Sequence, residues 1–206
     1  QGFLNILNIP FTHSGVTASA IAMDKLLSSR LFEGADIKTP QKLLLNEGKY
    51  VTPIDYSGPY VIKPRNDGSS VGVEIILDGR LCPRNRWDSK TQLIAEQYIS
   101  GREITVSILQ GKALCVTEII TSAKFYNYKA KYEIGGSQHI LPASIPKSCT
   151  KKAMHWAEKA FTLLGCRGVA RADFRWNEDS DKLYLLELNT QPGMTKTSLV
   201  PEQALY

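Results

Sequence analysis

No apolar run in this 206-residue sequence approaches the roughly twenty residues a membrane span needs, and no stretch has the layout of a secretory leader. The four cysteines, Cys82, Cys115, Cys149 and Cys166, lie far apart, with no CxxC pair and no Cys/His ligand spacing. They read as free thiols of a reducing cytosol. His13, His139 and His155 are scattered without ligand or triad spacing, so no histidine chemistry is assigned. No GK[ST] follows a glycine-rich turn, which excludes a Walker A loop. Neither sign of charge dominates: a formal charge of +5 and a pI near 9.0 favour anionic partners but are too mild and too evenly spread to argue for nucleic acid. A hydrophobic content of 43% is enough to bury a core of one or two domains.

What is present is a pair of strand-like runs near the C-terminus, CRGVARADFRW and LYLLELNTQPGMTKTSL. Side chains alternate faces along a strand, so Arg171 and Asp173 share one face of the first, and Glu187 and Asn189 one face of the second. The polar stretch 177–182 reads as a turn, which predicts an antiparallel hairpin. With the turn centred near Ser180, Asp173 falls opposite Glu187 and Arg171 opposite Asn189. Two carboxylates facing each other across a ladder repel unless one is protonated or a cation sits between them. Oxygen ligands of this kind suit Mg²⁺ or Mn²⁺, which fill their remaining positions with phosphate and water. The pair therefore predicts a metal site for a nucleotide; the alternative is an exposed hairpin whose acids face water. Downstream, Pro192-Gly193 gives a tight turn, and Thr195, Thr197 and Ser198 bring hydroxyl and N–H groups to the same edge, a loop able to hold a small carboxylate.

Upstream, residues 1–15 read as a helix end, a short strand cut by Pro10 and a Ser-Gly turn. Helical spacing of Ala18, Ile21, Ala22, Leu26 and Leu27 predicts one helix over 17–34, with Lys25 a solvated helix lysine on spacing alone. In YVIKPRNDGSSVGVEII a strand delivers Lys63, a Gly/Ser turn follows over 66–70, and a strand returns over 71–76. Such a loop can offer N–H groups and hydroxyls to phosphate while Lys63 supplies a point charge; an ordinary hairpin has the same pattern. Residues 77–91 show no period. LIAEQYISGREITVSIL recovers strand patterning on both sides of Ser100-Gly101, a junction between two lobes, with Glu96 and Glu103 flanking it as exposed strand acids on local pattern alone. KFYNYKAKYEIGGSQH interleaves lysine with Phe125, Tyr126, Tyr128 and Tyr132, the chemistry of a single-stranded nucleic-acid surface or of a lid hinged at Gly135-Gly136. The apolar stripe Ala153, Trp156, Ala157, Ala160, Phe161, Leu164 predicts a core helix over 151–164.

The blocks MDKLLSSRLF, VIKPRNDGSSVGV, EQYISGREITV, FYNYKAKY, GCRGVARADF and LLELNTQPGMTKTSLVP follow one another as in the D-alanine-D-alanine ligases of the ATP-grasp superfamily, which the chain resembles over essentially its whole length. The resemblance implies an α+β fold in which two lobes grip ATP between their sheets: 21–100 the central lobe, 101–206 the C-terminal lobe with the metal and substrate sites, and 1–20 a remnant of an N-terminal α/β domain. It implies that Lys25, Lys63, Ser69 and Ser70 contact ATP phosphates, that Glu96, Gln97, Tyr98 and Ile99 line the adenine pocket, and that Glu103 holds the ribose. Lys131 and Tyr132 resemble lid residues. Asp173, Glu187 and Asn189 match ligands of two Mg²⁺ or Mn²⁺ ions.

The reaction so implied is phosphorylation of one D-alanine by ATP and attack by the amine of a second on the acyl phosphate, in the bacterial cytoplasm for peptidoglycan synthesis. In it Arg171 and the Gly193 N–H polarise the reacting carboxyl, Ser69 and Tyr132 help to place the amine, and Ser198 and Leu199 hold the second D-alanine. Neither nucleic acid nor membrane is an expected partner, and a homodimer is allowed for the full-length chain. Two alternatives stand beside this: a related ligase using D-lactate as acceptor, and a non-catalytic nucleic-acid binder using KFYNYKAKY. The sequence opens at Gln1 inside an apolar-periodic pattern, without most of the family's N-terminal domain, and the expectation is a fragment that binds Mg-ATP but ligates poorly.

Overall fold

The computed structural model describes residues 1–45, 50–51, 58–78, 82–121 and 137–206. The chain begins with three helices, α1 (Gly2–Ile6), α2 (Val16–Met23) and α3 (Lys25–Gly34). Strands β1 (Lys42–Leu44), β2 (Tyr50–Val51), β3 (Tyr60–Pro64), β4 (Glu74–Ile76), β5 (Cys82–Pro83) and β6 (Leu93–Gln97) follow, with a 3₁₀ turn at Arg84–Arg86. Next come β7 (Arg102–Leu109), β8 (Lys112–Thr121), β9 (Ser137–Ile140), α4 (Lys147–Leu163), β10 (Val169–Asn177), β11 (Lys182–Asn189) and α5 (Leu199–Leu205). Among the described residues no helix is long and apolar enough to cross a membrane.

The strands form two antiparallel sheets, β1-β6-β3-β4 and β11-β10-β7-β8-β9, with β2 and β5 paired separately. Alternation gives each sheet two unlike faces. In the larger sheet Ile104, Val106, Ile108, Ala170, Ala172, Phe174, Leu183, Leu185 and Leu188 turn to one side, where Ala153, Ala157, Ala160 and Phe161 of α4 complete the main core. Glu103, Thr105, Ser107, Arg171, Asp173, Arg175, Glu187 and Asn189 are left to the other face. The smaller sheet behaves alike: Tyr60, Ile62, Ile76, Leu93 and Ala95 form its core, and Val61, Lys63, Ile75 and Glu96 face the opposite way. The first sheet ends at Gln97 and the second begins at Arg102. Between them Gly101 sits at φ +114°, where an added Cβ would lie 2.2 Å from the Trp176 carbonyl oxygen, so only glycine fits this junction.

Four expectations need correction. Residues 17–34 form two helices, because Asp24, at φ −79° and ψ 100°, leaves the helical region and caps α3, accepting from the N–H groups of Leu26 and Leu27. Arg65 grips the same carboxylate at 2.6 Å and 3.0 Å. The returning strand starts at Glu74 and not at Val71, since Ser69, Ser70 and Gly72 all adopt positive φ and break the ladder. Residues 7–12 form no strand. The core helix begins at Lys147, four residues before the expected start at 151, with Pro146 as its N-cap.

Asp24→Ala removes both the cap and the Arg65 fork, and is expected to cost about 1–2 kcal/mol and lower Tm by several degrees. Arg65 first, then the two amides, hold the Asp24 carboxyl below its ordinary value against the opposing effect of burial. A depressed carboxylate stabilises fully above its unfolded-state value, and that stability is lost as pH falls through the folded value. The variant should therefore show a flatter fall of stability below about pH 4 in thermal melts; an unchanged Tm and acid limb would remove Asp24 as the joint of the helix break.

Candidate functional site

The two polar sheet faces meet across an open cleft lined from both sheets. From the smaller sheet it takes Val61, Lys63, Ile75, Glu96 and Gln97, and from the larger one Glu103, Asp173, Arg175, Leu186 and Glu187. Lys25 and the turn residues Asp67, Gly68 and Ser70 close one side, and Tyr98 and Ile99 lie in the link between the sheets. Ten sequence-nominated residues thus share this one cleft: Lys25, Lys63, Ser70, Glu96, Gln97, Tyr98, Ile99, Glu103, Asp173 and Glu187. Ser69, Arg171, Asn189, Gly193, Ser198 and Leu199 are not part of its lining, and Lys131 and Tyr132 lie outside the described residues.

The acidic end has the register the sequence predicts, Asp173 opposite Glu187 and Arg171 opposite Asn189. A bulge makes this so. Below Asp173 the pairing shifts to Phe174 opposite Leu185, leaving Leu186 as the extra residue. Leu186 and Glu187 consequently both reach the cleft while Leu185 and Leu188 stay in the core. Asp173 is held by Arg171 (Nε 2.8 Å, Nη2 2.7 Å), by the Thr105 hydroxyl at 2.7 Å and by the Asn189 amide at 2.9 Å. The same Asn189 nitrogen is 3.4 Å from Glu187 Oε1, so a single atom touches both acids. Among the described residues no group of three His, Cys, Asp or Glu could hold a metal. The donor set is instead two carboxylates and an amide, hard oxygen chemistry that fits a divalent ion completed by phosphate and water once the amide turns its oxygen inward.

The facing wall is cationic. Lys63 Nζ donates to Glu96 Oε1 at 2.8 Å, and Lys42 Nζ lies 3.2 Å from Oε2. Burial alone would raise the Glu96 carboxyl, but Lys63 and Lys42 together hold it below the usual range. Lys25, far from being solvated, is buried at the start of α3 and donates to the Asp67 carbonyl. Burial pushes its ammonium down, and Lys63 adds to this, while Glu187, Glu96 and Asp67 oppose it. A group of lysines around one glutamate leaves positive charge for an anion to neutralise. In the adjoining turn Ser69 and Ser70 sit at φ +55° and +57°, a region costly for serine. Trp87 braces this turn by donating to the Gly72 carbonyl at 2.7 Å.

Beyond β11, Gly193 packs so closely on Ser198 that an added Cβ would lie 2.9 Å from its Oγ. Ser198 Oγ accepts from the Thr195 N–H at 3.0 Å and lies 2.8 Å from the Thr195 hydroxyl. The Leu199 side chain is buried against Ile119, which leaves its backbone for any ligand contact. Gln203, one turn on, bonds the Ser107 N–H, the Thr105 carbonyl and the Thr117 hydroxyl, tying α5 to the strand that also holds Asp173.

Sequence reasoning missed four residues. Arg175 lines the cleft and meets Glu103 at 3.0 Å; its place two residues after Asp173 was the available signal. Thr105 was legible in the same way, from its alternation with Ile104 and Val106. Lys42 and Trp87 carried no local signal, because their partners Glu96 and Gly72 are distant in sequence.

The family model described as D-ala D-ala ligase C-terminus matches residues 48–205. The D-alanine–D-alanine ligase of Zymomonas mobilis subsp. mobilis is 48% identical over 99% of this chain and 66% of its own length. That of Gluconobacter oxydans is 44% identical over 100% of this chain and 70% of its own. The chain thus spans about two thirds of the length of the relatives it matches, 66% of the first. Among solved structures, the D-alanine–D-alanine ligase from Bacillus anthracis complexed with ATP is similar with a TM-score of 0.78, at 28% identity over 99% of this chain and 67% of that one. The D-Ala:D-Ser ligase from Enterococcus faecalis is similar with a TM-score of 0.78, at 25% identity over 98% and 62%. The mixed helices and antiparallel sheets are the α+β ATP-grasp fold, and the chain belongs to the D-alanine–D-alanine ligase family, matching its C-terminal region.

Proposed function

We propose that this chain carries the nucleotide-binding and catalytic lobes of a bacterial, cytoplasmic D-alanine–D-alanine ligase, with 21–100 and 101–206 as its two lobes. The observation that carries this is Asp173 opposite Glu187 at the edge of a cleft whose other wall bears Lys25 and Lys63. A triphosphate suits that polarity. Its base would lie among Val61, Val73, Ile75, Ile99 and Leu186, with Glu96 to Ile99 along its edge and Glu103 toward the ribose. Its phosphates would meet Lys25, Lys63, Ser70 and the turn carrying Ser69. Asp173, Glu187 and Asn189 would hold Mg²⁺ or Mn²⁺, whose bound charge offsets that of the phosphoryl oxygens.

The chain's own residues supply the rest. Arg171, forked onto Asp173, brings a fixed positive charge beside the metal ligands, suited to a carboxylate accepting the γ-phosphoryl group and to the tetrahedral oxygen that forms when a second D-alanine amine attacks. That attack expels phosphate and leaves ADP and the dipeptide. The loop with Gly193, Ser198 and the Leu199 backbone would hold the carboxylate of the second amino acid. Ser69 and Tyr132 remain proposed placers of its amine, and Lys131 and Tyr132 proposed lid residues. D-alanine is the proposed partner, with neither nucleic acid nor membrane assigned. The likeness to a D-Ala:D-Ser ligase favours acceptor choice as the second question, to be read by product analysis with D-alanine, D-serine and D-lactate.

Calorimetric titration of ATP should give Mg²⁺-dependent binding that weakens at least about tenfold in Asp173→Ala and in Glu187→Ala. Binding indifferent to both changes would remove the metal site. In the whole protein, Arg171→Met is expected to lower kcat for D-alanine-dependent phosphate release by about a hundredfold with a smaller change in the ATP KM. An unchanged kcat would take the reacting carboxyl away from Arg171.

A further inference from the structure

Helix α5 starts at Leu199, directly after the Ser198 that is its N-cap residue, and has seven residues. A helix this short is marginal by itself, so tertiary contacts must set its place. Leu199 packs on Ile119 of β8, Glu202 Oε2 lies 2.7 Å from His139 Nδ1 of β9, and Gln203 is buried at 3% exposure against β7 and β8. The last contact is the most demanding. The β7–β8 register shifts between Val106 opposite Val116 and Ile108 opposite Ala113, and Ser107 lies within the shift. Its N–H donates to Gln203 Oε1 at 2.8 Å. Gln203 Nε2 in turn donates to the Thr117 hydroxyl at 2.9 Å and to the Thr105 carbonyl at 3.3 Å. A side-chain amide thus stands in for a backbone partner where the ladder is irregular. Glutamate would turn a second acceptor on the Thr105 carbonyl, and methionine could donate to neither group. The Thr105 hydroxyl also holds Asp173 at 2.7 Å, so one residue joins the helix to the acidic pair.

We propose that Gln203 is a positioning residue for the second D-alanine: it fixes α5, and with it Ser198 and the Leu199 backbone, at a set distance from the strand that presents Asp173. This rests on the ligase function proposed above. The attacking amine must reach a carbon whose phosphate is held at the metal ligands, while its own carboxylate is held at the start of α5. The separation of those two holds decides whether the amine arrives in line, and a misplacement of about 1 Å can cost about a hundredfold in rate. Gln203 is outside the cleft lining and acts only through the helix.

The test is steady-state ligation by the whole protein over a wide range of D-alanine, which separates the KM of the first and second sites, alongside calorimetric titration of Mg-ATP. Gln203→Met should raise the second-site KM about tenfold and lower kcat, while the first-site KM and the ATP affinity stay within about twofold of wild type. Thr117→Val, which keeps the shape and removes one partner of the amide, should raise the same KM about threefold, and Thr117→Ser should keep the wild-type value. A Gln203→Met enzyme whose constants all change together, or whose second-site KM is unmoved, overturns the inference by leaving Gln203 a purely structural residue. If that variant does not fold, the Thr117 pair carries the same test: an unmoved KM in Thr117→Val, or a Thr117→Ser no better than Thr117→Val, overturns it equally. Wild type without D-alanine-dependent phosphate release defeats the ligase function, and this inference with it, whereas ligation with an unmoved second-site KM defeats only the role of Gln203.

Discussion

Two like charges held opposite each other on neighbouring strands are unfavourable by themselves, and much of the polar structure here surrounds that one conflict. Asp173 cannot leave Glu187, because the backbone ladder fixes them as partners. It is instead compensated from three strands: the Arg171 guanidinium from its own, the Asn189 amide from β11 and the Thr105 hydroxyl from β7. The far face of these strands is apolar and packed on α4, so the ladder is clamped from behind while the acids stay at the cleft. Gln203 extends the same polar layer to α5, so the loop after β11 and the acidic pair share a common support in Thr105.

The bulge at Leu186 shows how narrowly this geometry is set. The turn closes with Asn177 opposite Lys182, and a regular ladder counted from there would put Leu186 against Asp173. One extra residue on β11 moves Glu187 into that position and keeps Leu185 and Leu188 in the core on either side. Leu186 then reaches the cleft as an apolar surface beside the acids. A single irregularity thus places a carboxylate for charge and a leucine for a flat ring at adjacent positions, which strict alternation cannot do.

Legibility followed the range of each interaction. Period-two alternation is local, so the shared faces of Arg171 with Asp173 and of Glu187 with Asn189 could be read directly. The cross-strand pairing was reached with a turn centre half a residue too late, and the unseen bulge compensated. Asp24 was hidden because its helical neighbours satisfy the 3.6 period on both sides, and the signal that broke the helix was its fork to Arg65, 41 residues away. Lys25 read as solvated for the same reason: its burial comes from the Arg65 to Asp67 turn, which folds over the start of α3. Residues 77–91 gave no pattern because their described parts answer to distant partners, β5 to β2 and Trp87 to Gly72.

The two walls of the cleft differ in charge. On one side Lys25 and Lys63 stand with Glu96 and Asp67, and Lys42 backs Glu96 from behind; on the other Glu103, Asp173 and Glu187 outnumber Arg175, with Arg171 forked onto Asp173. An anion alone would satisfy the lysines and aggravate the carboxylates, and a cation alone would do the reverse. A ligand that is itself an anion carrying a divalent cation relieves both at once, and Glu187 is already felt by Lys25 across the gap. The backbone ladders thus hold the charges of the cleft apart, and binding gains from relieving both halves without reorganising either.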